Sequence, residues 1–117
     1  TLHTAGSVST ISRIVSFFPS EIQSNIYSRL WECLCWVLSQ RLIPLKDGSG
    51  RVGIYELMLW TLWIRNIVSS GSLTQLEWTI ETGKQEWMVT MENYAYDLLE
   101  TWTIDESSFI HYFRQKI

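Results

Sequence analysis

Hydrophobic positions in this chain recur mostly at intervals of three and four, with one interruption where they alternate. Ser7 to Phe18 places Val8, Ile11, Ile14, Val15 and Phe18 on one side, which predicts a short amphipathic helix stopped by Pro19. Ser20 with Gln23 three residues later resembles a capping box and predicts a second helix running to about Gln40, with Ile22, Ile26, Leu30, Cys33 and Val37 as its apolar stripe. Arg41–Lys46 and Arg51–Leu59 are strand-like and flank Asp47-Gly48-Ser49-Gly50, a hairpin signal. In the second arm Val52, Ile54 and Glu56 point one way and Gly53, Tyr55 and Leu57 the other. The rest is helical. Thr61–Ser69 ends at Gly71, and a helix capped by Ser72 turns Leu73, Leu76 and Ile80 inward and ends at Gly83. Thr90–Thr101 carries Met91, Tyr94, Ala95, Leu98 and Trp102 at helical spacing, and Thr103 or Asp105 opens a last helix with Phe109, Tyr112 and Phe113. The predicted fold is mainly α with one β-hairpin, a compact small helical bundle. It is one domain over 1–117, with helices in 1–40, the hairpin in 41–59 and the bundle in 60–117.

Composition narrows the classes. With 117 residues, 46% hydrophobic and 18% charged, the chain can bury a modest core and should fold. A formal net charge of −3 argues against general nucleic-acid binding, which needs surplus cations to displace counterions. The longest apolar run, Leu57 to Ile64, is interrupted by Thr61 and stopped by Arg65, well short of the roughly 20 residues that cross a bilayer. No membrane insertion is expected, and a reducing cytoplasm suits the two cysteines, Cys33 and Cys35. On a helix, residues two apart do not face each other, so a disulfide or shared metal is not expected there, and both should be ordinary packed thiols.

Individual residues add candidate chemistry. His3 could donate a hydrogen bond to a phosphate and change charge near neutral pH. His111 has no second His or Cys at ligand spacing, so no metal site is expected. No Gly-x-x-x-x-Gly-Lys-Ser/Thr run exists to cradle phosphates, and the Gly-rich stretch Asp47–Gly50 lacks the lysine. No Ser/His/Asp or Cys/His set and no paired acidic site stands out, and Glu81 and Glu86 read as helix-face charges. The chain is therefore expected to have no catalytic residue and no cofactor. Seven tryptophans are the compositional oddity. Trp60 and Trp63 share a helical face with Ile67, and Trp102 follows Leu98 by one turn, which predicts core packing for all three. Trp36 aligns with Arg29, Glu32 and Gln40, and Trp78 with Thr74, Gln75, Glu81 and Thr82, which places both rings on polar faces as candidate interface anchors.

The segment from Thr1-Leu2-His3-Thr4 to Arg13 resembles the histidine box of the secretion ATPase superfamily, which includes the motors of type II and type IV secretion and of type IV pilus retraction. Further pieces follow in the order that the retraction branch shows: Phe18-Pro19, Ser39-Gln40-Arg41-Leu42-Ile43-Pro44, Gly50-Arg51-Val52 with Tyr55-Glu56-Leu57-Met58, Ile64-Arg65-Asn66-Ile67, Ile80-Glu81-Thr82-Gly83 and Met88-Val89-Thr90-Met91. The resemblance implies a nucleotide-sensing position at His3, vestigial here, and a motif tied to force production at Ile64, Arg65, Asn66 and Ile67. In that family the box follows a phosphate loop and an acidic magnesium motif, neither of which precedes it here. The resemblance therefore implies the C-terminal portion of a motor, inert alone, contributing structure and contacts in a homo-oligomer. ATP is expected only in the full-length parent. The departures place Leu62-Trp63 where Pro-Ala is expected, Ser69-Ser70 where Arg-Glu is expected, and Trp87 where Gly is expected. Replacing small residues by tryptophan overpacks a core at about 1–3 kcal/mol per site. That suggests an engineered or computationally redesigned chain, with a stand-alone, self-associating protein as the alternative function.

Overall fold

In the computed structural model, residues 2–4, 6–70, 72–82 and 88–113 are described, Leu73 and Glu77 by backbone alone. The expectations at Thr1, Gly71, Gly83, Glu86, Trp87 and the Leu73 side chain lie outside them. The element order is α1 (Ser7–Ser16), a 3-10 turn (Ser20–Ile22), α2 (Gln23–Cys33), β1 (Trp36–Pro44), β2 (Arg51–Leu59), α3 (Leu62–Ser69), α4 (Leu73–Thr82), α5 (Met91–Glu100) and α6 (Glu106–Phe113). The mainly α fold with one hairpin is as the periodicity predicts.

Local chemistry explains most boundaries. The Thr61 hydroxyl accepts from the Ile64 amide and opens α3, and the Thr90 hydroxyl accepts from the Asn93 amide and opens α5. Of the two candidates ahead of α6, Asp105 is the cap: its Oδ1 accepts from the Ser108 amide at 2.7 Å and from the Ser107 hydroxyl at 3.0 Å. These donors, the amide first, hold its carboxyl below the usual value, with help from the charge of Lys46. The Ser20 capping box does not form. Residues 20–22 make a single 3-10 turn, and Gln23 Nε2 donates to the Phe18 carbonyl at 3.0 Å.

The second helix is shorter than its apolar spacing predicts. It stops at Cys33, Leu34 is extended (φ −73°, ψ 135°), and Trp36–Gln40 belong to β1. The nine-residue register Trp36↔Leu59 through Pro44↔Arg51 explains the outcome, since each β1 residue gains a partner that the helix would forfeit. The hairpin loop holds itself: Asp47 Oδ1 accepts from the amide and hydroxyl of Ser49, and Gly48 adopts φ +71°.

The hairpin's inner face joins two cores. At one end Val37 and Met58 pack with Ile11, Val15, Ile64 and Leu76. At the other Ile43 and Ile54 pack with Met91, Ala95, Ile104 and Phe109. Between them lies the pair Ser39↔Glu56, where Glu56 Oε1 accepts from the Ser7 amide at 2.5 Å. A carboxylate thus sits on the first turn of α1, where the orphan amides and the dipole favour it.

Candidate functional site

The Ile64–Ile67 segment is held by its own alternation of faces on α3. Ile64 and Ile67 are buried in the first core, Arg65 is half-buried and Asn66 is exposed. Two of the four motif residues are therefore packing residues. Arg65 reaches toward α2, where its guanidinium carbon lies 5.5 Å from the centre of the Trp31 ring. Its Nε is buried without a hydrogen-bond partner. The same Trp31 offers its carbonyl to Trp60 Nε1 at 3.2 Å, and the Trp60 amide donates to the Cys35 carbonyl at 2.9 Å. One joint thus ties the end of α2, the start of β1 and the entry to α3.

His3 is exposed ahead of α1, with φ +51°. It, Arg65, Trp36 and Trp78 stand on four separate stretches of chain: ahead of α1, on α3, on β1 and on α4. Among the described residues no group of three His, Cys, Asp or Glu could hold a metal ion. A hollow of about 570 Å³ is lined in part by Arg41, Glu56, Glu81, Glu92, Tyr96 and Tyr112. Three carboxylates outnumber one guanidinium, and that guanidinium is already stacked 5.4 Å from the Tyr112 ring centre. The excess negative charge of the hollow repels phosphate rather than attracting it.

The tryptophans divide differently from their helical-wheel positions. Trp60 is buried, as expected. Trp63 is 64% exposed and Trp102 is 74% exposed, so neither packs in a core. Trp60 precedes α3 and cannot share a helix face with Trp63, and α5 ends at Glu100, before Trp102. Trp102 takes φ +60° and turns its ring outward, with Lys46 Nζ 4.2 Å from the ring centre. With Trp63 in solvent, no overpacking arises there. Both cysteines are exposed rather than packed.

Trp36 and Trp78 are exposed, as their polar surroundings predict, but Trp36 stands on a strand. Trp36, Leu38 and Leu42 all project from the outer face of β1 and are exposed, so the hairpin carries an apolar stripe away from both cores. Leu38 and Leu42 escape sequence reasoning because a helix carried to Gln40 splits them between elements. The alternation Trp36-x-Leu38-x-Gln40-x-Leu42 is the signal that finds them.

Comparison with known proteins places these features. No family model matches the chain. It is 35% identical over 99 residues to a twitching motility protein of Neisseria gonorrhoeae, covering 85% of this chain and 26% of that protein. It is 40% identical over 92 residues to the type IV pilus retraction ATPase PilT of Pseudomonas aeruginosa, covering 79% of this chain and 26% of the relative. Its fold superposes on a crystal structure of the pilus retraction motor PilT with bound ADP at a TM-score of 0.82 and 32% identity, over 95% of this chain and 30% of that one. The Legionella pneumophila ATPase DotB shares the fold at a TM-score of 0.76 and 21% identity. The chain spans about a quarter of the length of the curated relatives it matches, at their C-terminal end.

Proposed function

We propose that this chain, a portion of a secretion-superfamily ATPase, serves as the C-terminal structural and contact part of a pilus-retraction-type motor and hydrolyses no ATP by itself. The observation that carries the reading is the 32% identity and TM-score of 0.82 to a retraction motor along nearly the whole chain. The setting is cytoplasmic, and the parent is a homo-oligomer that binds ATP through residues beyond this stretch. In that parent the apolar stripe Trp36–Leu38–Leu42 and the exposed Trp78 are contact surfaces. Arg65 and Asn66 belong to the force-transmitting helix, and His3 is a vestige of the nucleotide-sensing position.

A chimaera tests the proposal. The 117 residues replace the matching stretch of the Pseudomonas retraction ATPase, and assembly and ATP turnover are measured. Retained assembly and turnover support the reading, and a chimaera that folds but neither assembles nor turns over ATP refutes it. ATP turnover by the isolated chain would overturn its inertness. Replacing Trp36 and Trp78 by Ser should lower the assembly state of the chimaera, and an unchanged mass would remove both rings from the interface.

A second reading is an engineered stand-alone protein that self-associates. The observation favouring it is the exposure of four of the six described tryptophans, Trp36, Trp63, Trp78 and Trp102. Under it the isolated chain forms a defined oligomer by light scattering while the chimaera fails.

A further inference from the structure

The two edges of the hairpin differ. On the β2 side Leu57 and Val89 exchange both backbone bonds, the Leu57 amide donating to the Val89 carbonyl at 2.9 Å and the Val89 amide to the Leu57 carbonyl at 3.2 Å. On the β1 side, among the described residues, none pairs with the strand. The groups left free follow from the alternation of the ladder. The Trp60 amide donates to the Cys35 carbonyl, and the Leu45 amide donates to the Gly50 carbonyl at 3.0 Å. Both contacts extend the β1–β2 register, so the odd-numbered residues of β1 bond toward β2 and the even-numbered ones point away from it. Trp36, Leu38, Gln40 and Leu42 therefore turn amides and carbonyls outward, and Pro44 a carbonyl alone. All five residues are exposed, and three of them form the apolar stripe. A long edge with free amides and apolar side chains is a template for another strand.

We propose that the open edge of β1 pairs antiparallel with β1 of a second copy of this chain, about a two-fold axis through Gln40. The inference rests on the self-associating reading above and gives it a surface. The strand itself selects this occupant, because its outward residues are nearly symmetric about Gln40. The axis sets Leu38 against Leu42 of the second copy, Trp36 against Pro44 of the second copy, and the two Gln40 side-chain amides against each other. Every such pair is even-numbered, as the free amides require, and the ladder gains roughly eight interstrand hydrogen bonds. Pro44 falls at each end of it, where a missing amide matters least. On the inner face Val37 meets Ile43 of the second copy, and Ser39 meets Arg41 of the second copy. Moving the axis to Ser39 would set Leu38 against Gln40. Moving it to Arg41 would set Leu42 against Gln40 and bring two guanidiniums face to face. Only the Gln40 axis of these three matches apolar with apolar and polar with polar, and it makes one continuous stripe across a four-stranded sheet.

The test uses the isolated 117-residue chain. Light scattering over a concentration series should follow a monomer–dimer equilibrium. Amide hydrogen exchange read by NMR should slow at Trp36, Leu38, Gln40 and Leu42 as the dimer fills, whereas Val37, Ser39, Arg41 and Ile43 are already slow in the monomer. Leu42→Lys changes an exposed side chain and should keep the monomer's circular dichroism, yet weaken the dimer by about tenfold or more, because lysine on an edge blocks pairing. The double variant Leu38→Glu/Leu42→Lys sets opposite charges across the axis and should recover most of that loss. A chain that stays monomeric at every concentration overturns the proposal together with the self-associating reading, and leaves the edge to a segment of the longer parent. A dimer in which the four amides stay fast, or which Leu42→Lys does not weaken, overturns the edge pairing alone and moves self-association to another surface. A double variant no tighter than Leu42→Lys would overturn the axis at Gln40.

Discussion

Trp102 occupies a position that ordinarily belongs to glycine. Its own amide donates to the Leu99 carbonyl at 3.0 Å, and the Thr103 amide donates to the Leu98 carbonyl at 2.9 Å, the two bonds of a Schellman end to α5. That end requires φ near +60°, which Trp102 adopts. A Cβ in this region costs about 1–2 kcal/mol. Replacing Trp102 by Gly removes that cost but adds about 0.4–1 kcal/mol of unfolded-state entropy. It also loses the exposed contact with Lys46, worth about 0.5–1 kcal/mol. These terms nearly cancel against the parent chain, so the informative comparison is Trp102→Gly against Trp102→Ala. Both lose the ring and the Lys46 contact, and only Ala retains the Cβ. Gly should therefore be the more stable by about 0.5–1 kcal/mol, whereas in a helix interior Gly is the less stable by about that amount. For a domain of this size the difference is a rise of a few degrees in melting temperature. Thermal unfolding followed by far-ultraviolet circular dichroism measures it. An Ala variant as stable as the Gly variant would show that the left-handed end of α5 does not exist in solution.

Three other perturbations probe the rest of the fold. Met58, fully buried opposite Val37, should cost about 2–5 kcal/mol when cut to Ala, read from urea unfolding. At Gly53 a Cβ would meet the Tyr55 hydroxyl at 2.7 Å, forcing away a ring that accepts from Gln40 Nε2 at 3.1 Å and packs edge-on against Tyr94 at 5.6 Å. Gly53→Ala should therefore destabilise the parent by about 0.5–2 kcal/mol yet be neutral or stabilising in a Tyr55→Ala background, as a double-mutant cycle will report. Asp105 has a folded-state carboxyl held below the usual carboxylate value, chiefly by the Ser108 amide. Its contribution is present above that value and lost as pH falls through the lower folded one. Asp105→Asn should flatten the melting-temperature profile below about pH 4, and an unchanged acid limb would exclude Asp105 from acid unfolding.

The helices flanked by threonine or aspartate caps are legible from the chain, because there the cap and the apolar spacing agree. Thr61 and Thr90 cap the helices whose predicted spans begin with them, and Asp105, one of the two residues expected to open the last helix, caps it. The tryptophan faces are less legible. A helical wheel assumes that the helix continues, and it ends before Trp102 and begins after Trp60.

One boundary accounts for most of the remaining differences. Between Leu30 and Gln40 there is no Gly or Pro to mark a break, and Val37 is an inward position on either reading, seven residues after Leu30 on a helix or facing Met58 on a strand. The strand is chosen by β2, whose residues lie 7 to 23 positions away along the register, a non-local gain that local periodicity does not encode. Once the helix is carried too far, Cys33 and Cys35 are assigned to packing, Trp36 to a polar helical face, and Leu38 and Leu42 to no common surface. Ending α2 at Cys33 exposes both thiols and aligns Trp36 with Leu38 and Leu42. The exposed thiols and the contact stripe are thus two consequences of a single strand pairing. A variant that weakened this pairing without unfolding the helices would alter both together.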